Sequence, residues 1–115
     1  FRALRISGYT QGEAPPFRAT GRYWAVDLAG VWARSPYLHN GSVRTMWELL
    51  SPAKNRAQTF RRGTSVYDPQ YMGFVDDGSF RFDVSVPGNS NAGHEYGADL
   101  ADDERRELIE YLKTL

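Results

Sequence analysis

The chain of 115 residues has no cysteine, no surplus of charge of either sign and no apolar run long enough to span a membrane. Without cysteine it can form neither a disulfide nor a thiolate metal site, and it cannot attach a haem through thioether bonds. Its 14 basic and 14 acidic residues balance, so long-range electrostatics favour neither nucleic acid nor an anionic membrane as a partner. We expect one domain that recognises its partner by short-range contacts.

Histidine is also scarce, and the two present are His39 and His94. A self-contained zinc site without cysteine would need a cluster of carboxylates around them, and the sequence shows no such cluster. The serines near them lack a Gly-x-Ser-x-Gly setting and no glycine-rich phosphate loop occurs, which argues against a serine hydrolase and a nucleotide-binding protein. Asp76, Asp77 and Asp83 lack the ligand spacing of a helix-loop-helix calcium site.

Aromatic residues, by contrast, make up 14% of the chain within a hydrophobic share of 41%. So many flat rings fit a domain packed around a large planar ligand or a partner domain, and they fit a small aromatic-rich core equally well. Much of the remaining sequence is typical of loops. Residues 8–22 carry glycines and prolines and indicate a connecting arm, and the basic stretch 51–70 indicates a solvated excursion.

Regular structure is expected in three places. Apolar residues at helical spacing predict a short helix that begins near Ser42: Val43, Met46, Trp47 and Leu50. Residues 71–86 alternate around the turn signal at 76–78, which predicts a β-hairpin or a pair of short strands. A broad apolar face over 100–115, with acidic residues in its first turn and Asp99 as its cap, predicts a C-terminal packing helix.

The most distinctive segment, residues 30–43, reads Gly-Val-Trp-Ala-Arg-Ser-Pro-Tyr-Leu-His-Asn-Gly-Ser-Val and leads into a Trp-Glu-Leu-Leu helix. This motif resembles the C-terminal haem domain of bacterial di-haem cytochrome c peroxidases, in particular the branch related to di-haem rubber oxygenases. Residues 74–78, 87–97 and 108–115 extend the resemblance over about 17–115. Residues 1–16 lie outside it and are interpreted as a connecting arm or the end of a preceding segment.

The resemblance implies part of a class I cytochrome c fold, mainly α with long loops, without its haem-attachment segment. The family fastens haem c through a Cys-x-x-Cys-His motif, so the haem would belong to an upstream segment or to another chain. Expected partners are that haem-bearing segment and a redox protein or second haem, in a periplasmic or secreted protein. The parent would be an oxidoreductase of peroxidase or oxygenase type, and this chain alone would be inactive.

The resemblance also directs attention to the iron ligand. The family's distal methionine, about fourteen residues after the histidine of the motif, falls at Ala53, which cannot ligate iron. His94, in a loop flanked by glycines, is therefore our predicted axial ligand. Met46 and Met72 are the rival donors, and a site with no ligand from this chain is the remaining alternative.

Other motif residues are expected to face the cofactor. Trp32, Tyr37 and Trp47 would wall the porphyrin or lead toward a second haem, and Arg34 would pair with a propionate. His39 belongs to this set, although its main expected part is to pin the turn that carries it. Packing within the domain explains the same residues without a cofactor. An alternative function is a haem-free interaction or docking module of a larger secreted protein.

Overall fold

The computed structural model describes residues 20–115, so the arm expected at 1–16 and the start of the region 17–115 lie outside the described residues. Two short 3-10 turns occupy Val31–Ala33 and Ala53–Asn55. The helices are α1 (Met46–Leu49) and α2 (Asp102–Leu112), and the strands are β1 (Thr59–Arg62), β2 (Tyr67–Asp68), β3 (Gly73–Phe74) and β4 (Phe80–Asp83).

The expectation of a mainly α domain is wrong. Of the described residues, 22% are helical and 16% are in strands, which form two small antiparallel sheets. The first predicted helix is a single turn, and the supposed solvated excursion at 51–70 instead contains β1 and β2. No helix within residues 20–115 is long and apolar enough to cross a bilayer.

The start of helix α1 is bonded to a neighbouring turn. Thr45, and not the expected Ser42, caps it, since the Thr45 hydroxyl accepts the Glu48 N–H at 3.2 Å. The N–H groups of the first two helical residues donate to the carbonyls of Met72 and Tyr71 at 3.0 and 3.2 Å. These partners satisfy donors that a helix start leaves unpaired, so the turn at 69–72 fixes where α1 begins.

The strands form two nested antiparallel pairs. Strand β1 pairs with β4, with Phe60 opposite Phe82, and β2 pairs with β3 inside the connection between them. Strands do occur within 71–86 as predicted, but β3 and β4 do not pair with each other. The segment 76–78 only connects them, and the hairpin turn is the one at 69–72, between β2 and β3.

The apolar side chains form one main core and one satellite. The satellite consists of Phe60, Phe82 and Val84 between the ends of β1 and β4. The main core joins the motif, α1, the hairpin turn and α2: Val31, Tyr37, Val43, Met46, Leu49, Leu50, Met72, Ile109 and Leu112. The predicted C-terminal helix is thus confirmed, as α2, although the Glu104 carboxylate, accepting the Ala101 N–H at 3.0 Å, stabilises its start in place of Asp99.

Arg56 connects α1 to the long loop before α2. Its guanidinium donates to the carbonyls of Glu48 and Leu49 at the end of α1, at 3.1 and 3.2 Å. The same group donates to the carbonyls of Asn91, of Gly93 at 2.6 Å and of His94 at 2.6 Å. Only 3% of Arg56 is exposed. Burial lowers its pKa below the ordinary arginine value, although the negative charges of Glu95 and Glu48 act to raise it. We name this arrangement the Arg56 clamp.

Replacing Arg56 by lysine should destabilise the protein because an ammonium has three donors and cannot reach five carbonyls at once. We expect a loss of roughly 3 kcal/mol in the free energy of unfolding, measured by urea denaturation. The exposed Arg61 provides the matched control, since Arg61→Lys should change stability by less than about 0.5 kcal/mol. Equal free energies of unfolding for Arg56→Lys and the parent chain would show that the clamp does not stabilise the fold.

Gly78, in the connection from β3, packs closely against the backbone at the end of β1. A Cβ at this position would collide with the carbonyl of Arg62, whereas a Cβ at Gly93 would meet nothing within 4 Å. Gly78→Ala must therefore push β1 and β4 apart. We expect it to lower the free energy of unfolding by more than about 2 kcal/mol, which a thermal melt detects as a clear fall in the melting temperature. Gly93→Ala should be nearly neutral in the same thermal melt. A similar fall in melting temperature for both variants would contradict the close backbone contact at Gly78.

Candidate functional site

The motif that begins at Val31 folds into a tight turn. Tyr37 and Val43 form an isolated antiparallel bridge, with the Tyr37 N–H donating to the Val43 carbonyl at 2.7 Å. Between them, Leu38 and Gly41 adopt left-handed backbone conformations, with φ of 67° and 64°. A left-handed Leu is uncommon and requires support from its surroundings. The motif is therefore a rigid loop closed on itself.

Asn40 fastens this turn to the loop that follows β4. Its amide Nδ2 donates to the carbonyls of Gly88 and Ser90 at 3.0 and 2.9 Å, while its Oδ1 accepts the Ser42 N–H at 3.2 Å. The Ser42 hydroxyl donates to the same Ser90 carbonyl at 3.0 Å. Sequence reasoning missed this role of Asn40; the Asn-Gly pair indicated a turn but not a partner 48 residues away.

His39 itself points outward from the turn. Its ring stacks on Tyr23 with centroids 4.3 Å apart and an interplanar angle of 17°, and its Nε2 lies 3.2 Å from the Tyr23 hydroxyl. Asn40 performs the pinning that was expected of His39. The exposed His39 ring is instead part of an aromatic surface that continues into residues 23–32.

Apart from Trp32, the residues of that surface were not identified by sequence reasoning. Its members are strongly exposed, Trp24 by 89% and Tyr23 by 74%. We call it the aromatic edge, and it consists of Tyr23, Trp24, Val26, Leu28 and Trp32. Such a run of exposed apolar side chains marks a surface that another group covers. The dense Tyr-Trp-Ala-Val sequence after Arg22 was the available signal.

The predicted axial ligand, His94, lies in a loop held from its other side. The Arg56 clamp binds its carbonyl, its backbone is left-handed with φ of 58°, and its ring meets Tyr96 edge-on at 5.1 Å. The residue is exposed, yet partial desolvation of the imidazole, and secondly the Arg56 charge, lower its pKa below the usual 6.5. The neutral ring, which is the form that binds metals, is thereby favoured.

Ala53 lies beside this loop. Its N–H donates to the Glu95 carboxylate at 3.0 Å, so the position where the resemblance places a methionine ligand adjoins the residue next to His94. Met46 and Met72 lie in the main core and are 4% and 0% exposed. No group of three or more His, Asp or Glu side chains within residues 20–115 is placed to hold a metal ion, so this part of the chain offers single ligands.

Two of the remaining predicted residues, Trp32 and Arg34, lie in or next to the aromatic edge. Trp32 is 45% exposed, and its carbonyl accepts the Tyr67 hydroxyl at 2.7 Å. The exposed Arg34 guanidinium donates to the carbonyls of Asp27 and Ala29 at 2.6 and 2.7 Å. These bonds hold the segment 27–34 in a loop and leave the other N–H groups of Arg34 without an acceptor among the described residues.

Tyr37 and Trp47 are committed to packing. The Tyr37 hydroxyl is buried, donates to the Val31 carbonyl at 3.1 Å, and has a pKa raised by burial and by the nearby Tyr67. The guanidinium carbons of Arg105 and Arg106 lie 4.7 and 5.0 Å from the Trp47 ring centroid, and Tyr71 meets the same ring edge-on. Trp32, Arg34 and His39 are thus exposed, whereas Tyr37 is buried and Trp47 is half-buried against α2.

Two curated relatives come from Sinorhizobium fredii, and both are described as uncharacterized proteins. Protein y4iJ is 50% identical to this chain over 105 residues, which covers 81% of this chain and 18% of the relative. Protein y4iM is 33% identical over 138 residues, which covers 98% of this chain and 32% of the relative. The chain therefore spans about a fifth and about a third of the length of these relatives.

A protein-family model described as RoxA-like, cytochrome c-like matches residues 21–61. The match contains the aromatic edge, the rigid turn with Asn40, helix α1 and Arg56, and it stops before the loop of His94. It suggests a haem-related role in electron transfer. Over residues 21–61 the chain is therefore similar to a RoxA-like, cytochrome c-like domain.

Proposed function

We propose that this chain forms the distal side of a haem c pocket in a di-haem cytochrome of peroxidase-like type, and that His94 is the axial ligand. The whole protein would be a periplasmic or secreted oxidoreductase, with the haem attached through an upstream Cys-x-x-Cys-His motif or by another chain. A haem bound here would supply one-electron transfer, at a lower potential with a second histidine ligand than with a methionine.

One observation carries the proposal most directly. Ala53, where the resemblance puts the ligand, is hydrogen-bonded to Glu95, the neighbour of His94. The residue next to His94 thus contacts the position that corresponds to the family's methionine, and this contact supports His94, from a different part of the chain, as the replacement ligand. Its exposed ring and lowered pKa supply a neutral imidazole that another group can approach.

The residues fit a large planar partner in two further respects. The aromatic edge and the stacked pair of Tyr23 and His39 present flat apolar surface that no described residue covers. Gly93, immediately before His94, has open space on its Cβ side, so a planar group can approach the backbone closely. Arg34 would pair with a propionate through its remaining N–H groups, Trp32 would contact the ring edge, and the Arg56 clamp would keep His94 in position.

The ligand assignment can be tested with a haem c peptide that carries its own Cys-x-x-Cys-His and has one open axial position. Addition of the 115-residue chain should convert the peptide spectrum to a low-spin form with a shifted Soret band. His94→Ala should abolish this conversion, because the imidazole that completes the coordination is gone. The Soret and visible bands, recorded during a titration, measure both the spin state and the affinity.

His39→Ala is the matched control, since it removes the only other imidazole in the chain. It should leave the low-spin bands in place, although the affinity falls with the loss of the stacked pair. Identical spectra for His94→Ala and the parent chain would refute the ligand assignment. No spectral change with any variant, combined with a cooperative haem-free melt, would favour the second candidate, a docking module whose aromatic edge covers a partner domain.

The lowered pKa of His94 gives a separate prediction for the haem-free chain. Because the folded state favours the neutral ring, the unfolded chain takes up a proton first as the pH falls below about 6.5. The stability of the parent chain should therefore decrease from pH 6.5 toward pH 5 by more than that of His94→Gln. Urea denaturation at several pH values measures this difference, and parallel curves for the two proteins would contradict it.

A further inference from the structure

A cavity of about 180 Å³ lies between the start of the rigid turn and the nested strands. Pro36, Phe60 and Phe74 supply apolar wall, while Arg44 and Arg62 supply charge. None of the residues in the haem proposal lines it. Its size is below the roughly 300–1,000 Å³ of pockets for drug-sized ligands, which leaves room for a small molecule with a single ring.

The guanidinium groups at this cavity are incompletely satisfied. Arg44 donates to the Phe74 carbonyl at 3.1 Å and pairs with Glu48 at 3.3 Å, but its Nε is buried without a hydrogen-bond partner among the described residues. Arg62 lies over the Phe82 ring at 4.7 Å and takes part in none of the ion pairs formed within residues 20–115. A buried donor without an acceptor is unfavourable for Arg44, and the half-buried Arg62 carries a positive charge that no described carboxylate pairs with, so both guanidinium groups favour a nearby anion.

The surrounding charge points the same way. Arg61 also lines the cavity, whereas Arg81, opposite it across β1 and β4, lies outside the cavity and has the carboxylate of Asp83 as its counter-charge. The acidic neighbours are engaged elsewhere: Glu48 already pairs with Arg44, and the Asp76 carboxylate accepts the Arg61 N–H at 2.5 Å. Arg44, Arg61 and Arg62 thus bring three positive charges to the cavity against the carboxylates of Glu48 and Asp76, which leaves a positive balance.

From this geometry we propose that the cavity binds a small aromatic carboxylate. The carboxylate accepts charge-assisted hydrogen bonds from the Arg62 guanidinium, beside the positive charge of Arg44, and the ring packs against Phe60, Phe74 and Pro36. An inorganic anion would satisfy the charge but leave the apolar wall exposed. The combination of cation and flat apolar wall therefore selects an arene carboxylate over a bare anion.

Benzoate and its neutral isostere benzamide are the probes for this site. Titration of the 115-residue chain at fixed ionic strength, followed by amide chemical shifts, should show saturable benzoate binding with shifts in residues 60–64 and 74. Benzamide should bind at least about tenfold more weakly, since it cannot form the charge-assisted bonds. Sulfate at the same ionic strength should bind more weakly than benzoate.

Arg62→Gln should weaken benzoate binding by at least about tenfold and leave benzamide binding unchanged. Arg81→Gln is the matched control, because it removes the same charge from the same sheet without touching the cavity, and it should change benzoate affinity less than about twofold. Equal effects of the two substitutions, equal binding of benzoate and benzamide, or no saturable benzoate binding would each overturn the proposal. If Arg62→Gln does not fold, the comparison of the three probes on the parent chain decides.

Discussion

The fold depends above all on one buried guanidinium. Arg56 draws carbonyls from the end of α1 and from the loop 91–94 into a single network of five hydrogen bonds. The carbonyls at a helix end have no partners within the helix, and a cation beside them is favoured by the helix dipole. The loop carbonyls gain partners that no strand supplies. One side chain thus donates to backbone carbonyls from two regions, although the Glu48 carbonyl also accepts the Ser51 N–H at 3.1 Å.

This solution recurs on a smaller scale, because the chain has so little regular structure. Asn40 and Ser42 hold the carbonyls of the loop 88–90, and Arg34 holds those of 27–29. Bonds from side chains to backbone here do the work that ladders of backbone bonds do in sheets and helices. Such a structure is specified by a few polar residues as much as by its apolar core, and it remains open at its aromatic edge.

The candidate site follows from the same network. Asn40 brings the rigid turn against the loop after β4, and the Arg56 clamp positions the end of that loop, with Ala53 bonded to Glu95 alongside. The motif and the second histidine thereby share one supported loop system. The motif predicted a turn pressed against a flat partner, and the stacked pair of His39 and Tyr23, together with the exposed Trp24, is the surface on which our proposal places such a partner.

Local sequence determined what depends on neighbours in the chain. Apolar spacing and an acidic first turn identified α2, the motif identified the rigid turn, and the lack of cysteine excluded covalent attachment of a haem within this chain. The pairing of β1 with β4 could not be predicted from the sequence. A single apolar Phe60 among basic residues is typical of a solvated loop, and only the fold places Phe82 opposite it. The same holds for the choice of Thr45 as cap, which depends on carbonyls of the hairpin turn.

What only the tertiary structure decided are the contacts between distant segments: the Arg56 clamp, the bonds of Asn40 and the place of Ala53 beside the His94 loop. Each joins residues 35 or more positions apart. A hydrogen bond needs a donor and an acceptor at the right distance and angle, and every residue offers a backbone carbonyl. The sequence alone therefore shows which side chains can donate, and the folded chain selects the carbonyls that accept.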